Sequence, residues 1–305
     1  MSWEMCFTIC CSTFFQPTGR RRDRSRLLPR NPPKRQHPPR PPISQEMRNE
    51  QAECPLFSPN FPAELRLSIY EAVLGDQHRL MHVIPFDDQS NRVGRRRCID
   101  TAFEGPTWQH KCFGTWLERE TSSRRRDYTF YSCDRYLALV LSCHRIYLEA
   151  INVMYTANKF SVKGARGIEA FHSVTPQPQW HQIRHLNIST IFLTPRQYYP
   201  EHEWFPPDNY VQWPTSCAIV QSLHGLRSLQ VELIVRDTHD RKNETLVEEE
   251  ALFSILKPLT LVSAPLFEVE INMAVPETVL KKLGELTFTL VVKYKPYEHS
   301  LFSAL

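Results

Sequence analysis

The stretch Leu137–Phe160, LALVLSCHRIYLEAINVMYTANKF, carries the clearest helical signal in the chain. Leu137, Val140, Leu141, His144, Leu148, Ile151 and Tyr155 recur at steps of three and four, which lines one helix face for about six turns at 3.6 residues per turn. Cys143, Tyr147 and Met154 widen that stripe, and Asn158 is placed to cap the C-terminus. On this reading Cys143 is a small buried hydrophobe and His144 a core-edge histidine with a hydrogen-bond partner. Nothing in the stretch demands the electropositive, partly exposed setting that a reactive thiol needs.

Upstream, CPLFSPNFPAELRLSIYEAVLGD (Cys54–Asp76) predicts a shorter amphipathic helix. Pro62 suits its first turn, Glu64 favours the dipole, and Gly75 follows the last periodic residue as a C-cap. Phe61, Leu65, Ile69 and Val73 recur every four residues as the expected buried face, with Tyr70 and Leu74 widening it. Between the two helices, HRLMHVIP alternates Leu80, His82 and Ile84 like a half-buried strand, and NRVGRRRCID is placed to return antiparallel to it. Gly105, Pro106 and Gly114 break regular structure, and SSRRRD reads as a charged loop.

Beyond Phe160, helix and strand patterns alternate. IRHLNI reads as a strand, and SCAIVQSLHGLRSLQVELIV as a helix with Ile219, Val220 and Leu223 inward, then a strand alternating Leu229, Val231, Leu233 and Val235. EEEALFSILKPL predicts a helix, LFEVEINM a strand with Phe267, Val269, Ile271 and Met273 on one face, and PETVLKKLG a short helix. A last strand carries Leu286, Phe288, Leu290, Val292 and Tyr294. This alternation predicts an α/β layer with a largely parallel sheet. The leucine spacing in LHGLRSLQVEL is leucine-rich-repeat-like, but the candidate strands lack a constant period, so the layer is irregular.

With 305 residues, 41% of them hydrophobic, the chain is long enough for one large domain or two small ones. Its charge is local: the first fifty residues hold ten Lys plus Arg against four Asp plus Glu, or +6, so the rest sums to −2 to reach +4. Gln16–Pro42, dense in Arg and Pro, predicts a disordered, partly polyproline arm. Its arginine clusters, with Arg95–Arg97, Arg124–Arg126 and the aromatics Tyr128, Phe130 and Tyr131, are the features a nucleic acid would use. No apolar run reaches the roughly 20 residues that span a bilayer, and the N-terminus lacks the basic region of a signal peptide. An intracellular protein, nuclear or cytoplasmic, is expected, with its nine cysteines reduced. Cys6, Cys10 and Cys11 beside the basic run fit palmitoylation as an alternative to a plain unstructured terminus.

Signatures of catalysis are missing from the sequence: no G-x-S-x-G elbow, no glycine-rich phosphate loop, no H-E-x-x-H and no EF-hand. Cys98, His110, Cys112 and Cys133 surround the insert and have the right chemistry for a tetrahedral site, but their spacing matches no recurrent zinc pattern. His181 and His185 help one another only on a helix, and their segment reads as a strand. No catalytic residue, cofactor, metal or small-molecule substrate is therefore expected. The competing enzymatic reading would centre on Cys143 or the Cys98 group.

The motifs FPAELRLSIYEAVLG and LSCHRIYLEAINVMYTANKF resemble a family of filamentous-fungal proteins with an F-box-like domain of unknown function. The first helix matches at Pro62, Glu64, Leu65, Arg66, Ile69 and Tyr70. The second matches at Cys143, Arg145, Tyr147, Glu149, Ala150, Tyr155, Asn158 and Phe160, with His144 interposed. The resemblance implies paired helices that dock on a Skp-type adaptor of a cullin ubiquitin ligase, with a C-terminal repeat domain for the substrate. This sequence departs from the pattern by placing residues 76–135 between the helices, an insert that either folds out as a hairpin or covers the docking face.

The expected organisation is a basic arm (1–55), an F-box-like helical module (56–160) with a β-hairpin insert (76–135), and an α/β layer (161–305), a mixed α+β chain. Its expected function is non-enzymatic protein–protein interaction as an adaptor or substrate receptor, and the alternative is a nucleic-acid-associated protein. The candidate docking or helix-packing residues are Pro62, Leu65, Ile69, Tyr70, Leu141, Cys143, Tyr147, Ile151 and Tyr155.

Overall fold

The computed structural model describes residues 54–58, 60–87, 90–113, 136–194, 208–237 and 248–296. The basic arm, Cys6, Cys10, Cys11, Cys133 and Arg124–Arg126 with the aromatics behind them lie outside the described residues. In chain order the elements are α1 (Ala63–Leu74), β1 (Asp76–Asp87), β2 (Ser90–Arg97), α2 (Tyr136–Val140), α3 (His144–Thr156) and β3 (Asn158–Lys163). They continue with α4 (Gly164–Val174), α5 (Gln177–Trp180), β4 (His185–Thr194), α6 (Trp213–Gln221), β5 (Ser228–Asp237), α7 (Glu249–Leu256), β6 (Leu266–Ile271), α8 (Glu277–Leu283) and β7 (Thr289–Val292). Two single turns, Thr107–Gln109 and Lys111–Phe113, lie in the insert.

The protein is of the mixed α/β class. Its seven strands form one sheet in the order β2-β1-β3-β4-β5-β6-β7, so the strands on either side of residue 160 share it. All neighbours are parallel except the β1–β2 hairpin, in which Met81 faces Arg97 and Ile84 faces Gly94. From β3 onward the chain always steps the same way along the sheet. Right-handed crossovers that never reverse direction place the connecting helices on a common face.

Side chains alternate across a strand, so the helix-facing residues are every second one. Met81, Val83, Phe160, Val162, Leu186, Ile188, Leu229, Val231, Leu233, Val269 and Ile271 meet Tyr70, Ile146, Phe171, Trp180, Trp213, Ile255 and Val279 from the helices in one buried cluster. β1 corrects the expected phase. Met81 and Val83 take the helix side, while His82 and Ile84 point to the opposite face and are buried there too.

The second correction concerns Leu137–Phe160, which is not one helix. Ser142 Oγ bonds Leu139 O at 2.7 Å, and Cys143 adopts an extended backbone with its Sγ accepting from Ile146 N at 3.4 Å. That sulfur caps a new helix. The buried face of α3 is Ile146, Ala150, Ile151, Val153, Met154 and Tyr155, whereas Leu148 is exposed. Asn158 opens β3, and its amide bonds Met154 O at 2.8 Å and Leu74 O at 3.0 Å while its oxygen accepts from Asp76 N at 3.1 Å. One side chain thus closes the ends of both α1 and α3.

Two smaller differences lie further on. α6 ends at Gln221 and turns Trp213, Cys217 and Val220 inward, with Leu223 buried in the following turn and Ile219 only partly buried. β7 is shorter than its alternation suggests. It is an edge strand, so Val292 and Tyr294 are exposed, while Phe288 just before it is buried in the core and Leu290 packs partly against it.

Candidate functional site

The phase of α1 is the correction that bears on docking. Arg66, Tyr70 and Leu74 are its buried residues, and Leu65, Ile69 and Val73 are 52%, 41% and 43% exposed. The two stripes run side by side at the same four-residue step, so spacing alone does not choose between them. Arg66 is buried because it has a partner: its Nε and Nη2 donate to both oxygens of Glu149 at 2.8 and 2.9 Å, and Nη1 donates to Phe61 O at 2.9 Å. A two-pronged guanidinium–carboxylate pair is the geometry in which a buried arginine is tolerated.

Tyr70 donates to the same carboxylate at 3.2 Å, and Arg145 reaches it at 3.3 Å from the next turn of α3. The Arg66 hydrogen bonds hold Glu149 below the usual carboxylate range, while burial first and Glu149 second push the Tyr70 phenol up to about 12. Four polar residues of the shared motif therefore bind each other. Replacing Glu149 by alanine leaves three donors facing one another without an acceptor, and the urea midpoint followed by circular dichroism is expected to fall. Glu149→Gln, which keeps one acceptor oxygen, should fall between that variant and wild type.

The nine docking or packing candidates separate accordingly. Pro62, Leu65 and Ile69 are exposed on α1, and Leu141 and Tyr147 are half-buried around the helix break. Tyr70, Cys143, Ile151 and Tyr155 are interior. The Arg66–Glu149 pair keeps α1 against α3.

The sheet face opposite the helices carries polar residues in rows. Register places His82, Ser161, Asn187, Gln230 and Glu268 in one line across five strands, and Lys163, Ser189, Glu232 and Glu270 in the next. Ser161 donates to Asn187 at 3.1 Å, and Gln230 donates to Glu270 at 2.9 Å. Lys295 sits between Glu232 and Glu270 at 3.0 and 2.8 Å. Glu232 also accepts from Thr107 N at 2.8 Å, Thr107 Oγ1 at 2.9 Å and Ser189 Oγ at 2.8 Å. Burial alone would raise its pKa, but the Lys295 charge and these donors outweigh burial and hold it below the ordinary glutamate value.

Glu232 thereby seats the insert on the sheet. Trp108, next to Thr107, forms a small apolar cluster with Ile191, Leu193 and Ile234 on this second face. The same insert brings His110 and Cys112 over β1. The ligand-type atoms of His82, Cys98 and His110 lie within 4.8 Å of one another, and Cys98 Sγ is 3.2 Å from His110 Nδ1. Cys112 Sγ accepts from Ile99 N at 3.2 Å and lies 3.7 Å from Asp100. Of the residues read from the sequence as metal-ligand types, the structure gathers Cys98 and His110 and adds His82, with Cys112 outside that group. His181 instead stacks on His224 with ring centres 5.2 Å apart, and His185 opens β4.

Arg95 and Arg97 are engaged within the protein. Arg95 donates to Tyr155 Oη at 2.8 Å and lies over its ring, and Arg97 pairs with Asp76 at 3.3 Å. Among the described residues no helix is long and apolar enough to cross a membrane.

A family model described as a domain of unknown function, DUF7730, matches residues 49–287. The chain belongs to the DUF7730 family. The DUF7730 match takes in the Arg66–Glu149 clasp, the polar rows up to Glu270 and the His82–Cys98–His110 group, so each is part of the domain itself. No curated protein and no solved structure matches the chain.

Sequence reading had overlooked His82, Glu232, Glu270 and Lys295. The signal was present as the polar half of each strand's alternation, Asn187 and Ser189, Gln230 and Glu232, Glu268 and Glu270, which by itself looks like an ordinary wet face.

Proposed function

We propose that this DUF7730 protein is a non-enzymatic interaction module that docks a partner protein on the exposed flank of α1, the partner being the Skp-type adaptor of a cullin ubiquitin ligase. The observation that carries the reading is the stripe Leu65, Ile69 and Val73, apolar and exposed along a helix whose adjoining face is clamped by Arg66 and Tyr70. Anchors at i, i+4 and i+8 on a rigid helix are what a hydrophobic groove recognises. The resemblance of the α1 and α3 motifs to F-box-like helices supplies the choice of adaptor, and the polar rows of the sheet are tied up in internal pairs.

Because Leu65 and Ile69 are exposed, Leu65→Asp/Ile69→Asp should leave the circular dichroism spectrum unchanged. The double variant is expected to weaken co-purification with the adaptor by about tenfold or more, the usual scale for losing two interface anchors. A folded wild type that does not bind the purified adaptor sinks the ligase assignment. Equal binding by wild type and variant sinks the assignment of this face.

A further inference from the structure

His82 is fully buried, and neither of its ring nitrogens has a hydrogen-bond partner. A neutral imidazole in the interior forfeits one donor and one acceptor this way, a state that native interiors rarely carry. Around it are Phe113, with ring centres 4.3 Å apart, and His110, edge-on at 5.3 Å. The remaining neighbour of ligand type is a thiol, Cys98, directly against His110. His82, Cys98 and His110 are all buried, and their ligand-type atoms lie within 4.8 Å of one another.

We propose that His82, Cys98 and His110 form a zinc site that fastens the insert to the sheet. One sulfur and two imidazole nitrogens are a donor set that zinc takes, with its fourth position filled by water or another ligand. For zinc–sulfur and zinc–nitrogen bonds of about 2.3 and 2.05 Å, tetrahedral angles put sulfur and nitrogen about 3.5 Å apart. The Cys98–His110 separation of 3.2 Å is close to that before any adjustment.

On binding, the Cys98 thiol releases its proton to solvent as its sulfur bonds the metal. The other charged groups acting on the site are Asp100, Glu232, Lys163, Lys295 and Arg96, of mixed sign.

The ligands come from β1, from the residue after β2 and from the turns at 107–113. Zinc would therefore join three segments of the chain.

The test uses the full chain purified under reducing conditions without chelator. Elemental analysis is expected to find about one zinc per chain, and after zinc removal cobalt(II) should give the intense tetrahedral thiolate spectrum, saturating near one equivalent. Cys98→Ser and His82→Gln should lose that spectrum, whereas Cys54→Ser, away from the site, should keep it. Should the site variants not fold, the wild-type cobalt spectrum decides alone. A folded wild type that carries less than roughly a tenth of an equivalent of zinc and gives no thiolate–cobalt band overturns the proposal, as does a cobalt spectrum that folded Cys98→Ser leaves unchanged.

Discussion

Glu232→Ala is expected to cost about 3–5 kcal/mol of folding stability at neutral pH, the usual penalty for removing one partner of a buried ion pair. The carboxylate is 5% exposed and satisfies Lys295, the Thr107 amide and hydroxyl, and the Ser189 hydroxyl together. Alanine leaves those donors in a dry layer beside Glu270, and it unseats the turn that carries Trp108, His110 and Cys112. Urea unfolding should show a lower midpoint and an early loss of tryptophan signal. The pH dependence has a definite sign. The folded pKa is depressed, so the stabilisation is present above the unfolded value near 4.5 and is lost as pH falls. The gap between variant and wild type should therefore narrow in acid, and a gap that stays constant from pH 7 to pH 4 would contradict this account.

Asp208 makes the opposite prediction. It lies beneath the start of α4, where Gly164 has φ +46° and any Cβ would run into the Asp208 carboxylate. Its Oδ2 accepts from Ala165 N at 2.9 Å, no cation among the described residues is paired with it, and burial pushes its pKa from 3.8 up to about 7. A raised folded pKa means that the native chain holds a proton between about pH 4 and pH 7 that the unfolded chain has released. The group's contribution is whole below pH 4 and is lost as pH rises through 7. Moving the pKa from 3.8 to about 7 is linked to about 4 kcal/mol.

Asp208→Asn keeps an acceptor for Ala165 and never ionises. Its stability relative to wild type should improve by about 3–4 kcal/mol between pH 4 and pH 8. Parallel stability curves for the two proteins over that range would show that Asp208 is ionised in the native state after all.

The class of fold was legible because it rests on local patterns. Leu229, Val231, Leu233 and Val235, or Phe267, Val269 and Ile271, can bury one side only as strands, and helical stretches between them call for a parallel sheet. The hairpin of the insert was legible for the same reason. The break at Cys143 was not, because a thiol capping a helix looks in sequence like another small apolar residue on the stripe. Nor was β3: Asn158–Lys163 joins the sheet because strands from distant parts of the chain flank it on both sides.

The candidate sites divide along the same line. Sequence alone determined that α1 carries two neighbouring four-residue stripes, that β4 to β6 alternate apolar with polar residues, and that the insert contains cysteine and histidine of ligand type. Tertiary structure decided which stripe of α1 is buried, through Glu149, which lies 83 positions from Arg66. It also decided that the polar halves of the strands line up into covered rows, and that His82 meets Cys98 and His110. Periodicity reports what a residue does to its neighbours within a turn or two. A buried charge or an unpaired imidazole is set by partners that only folding brings near, so it leaves no local trace.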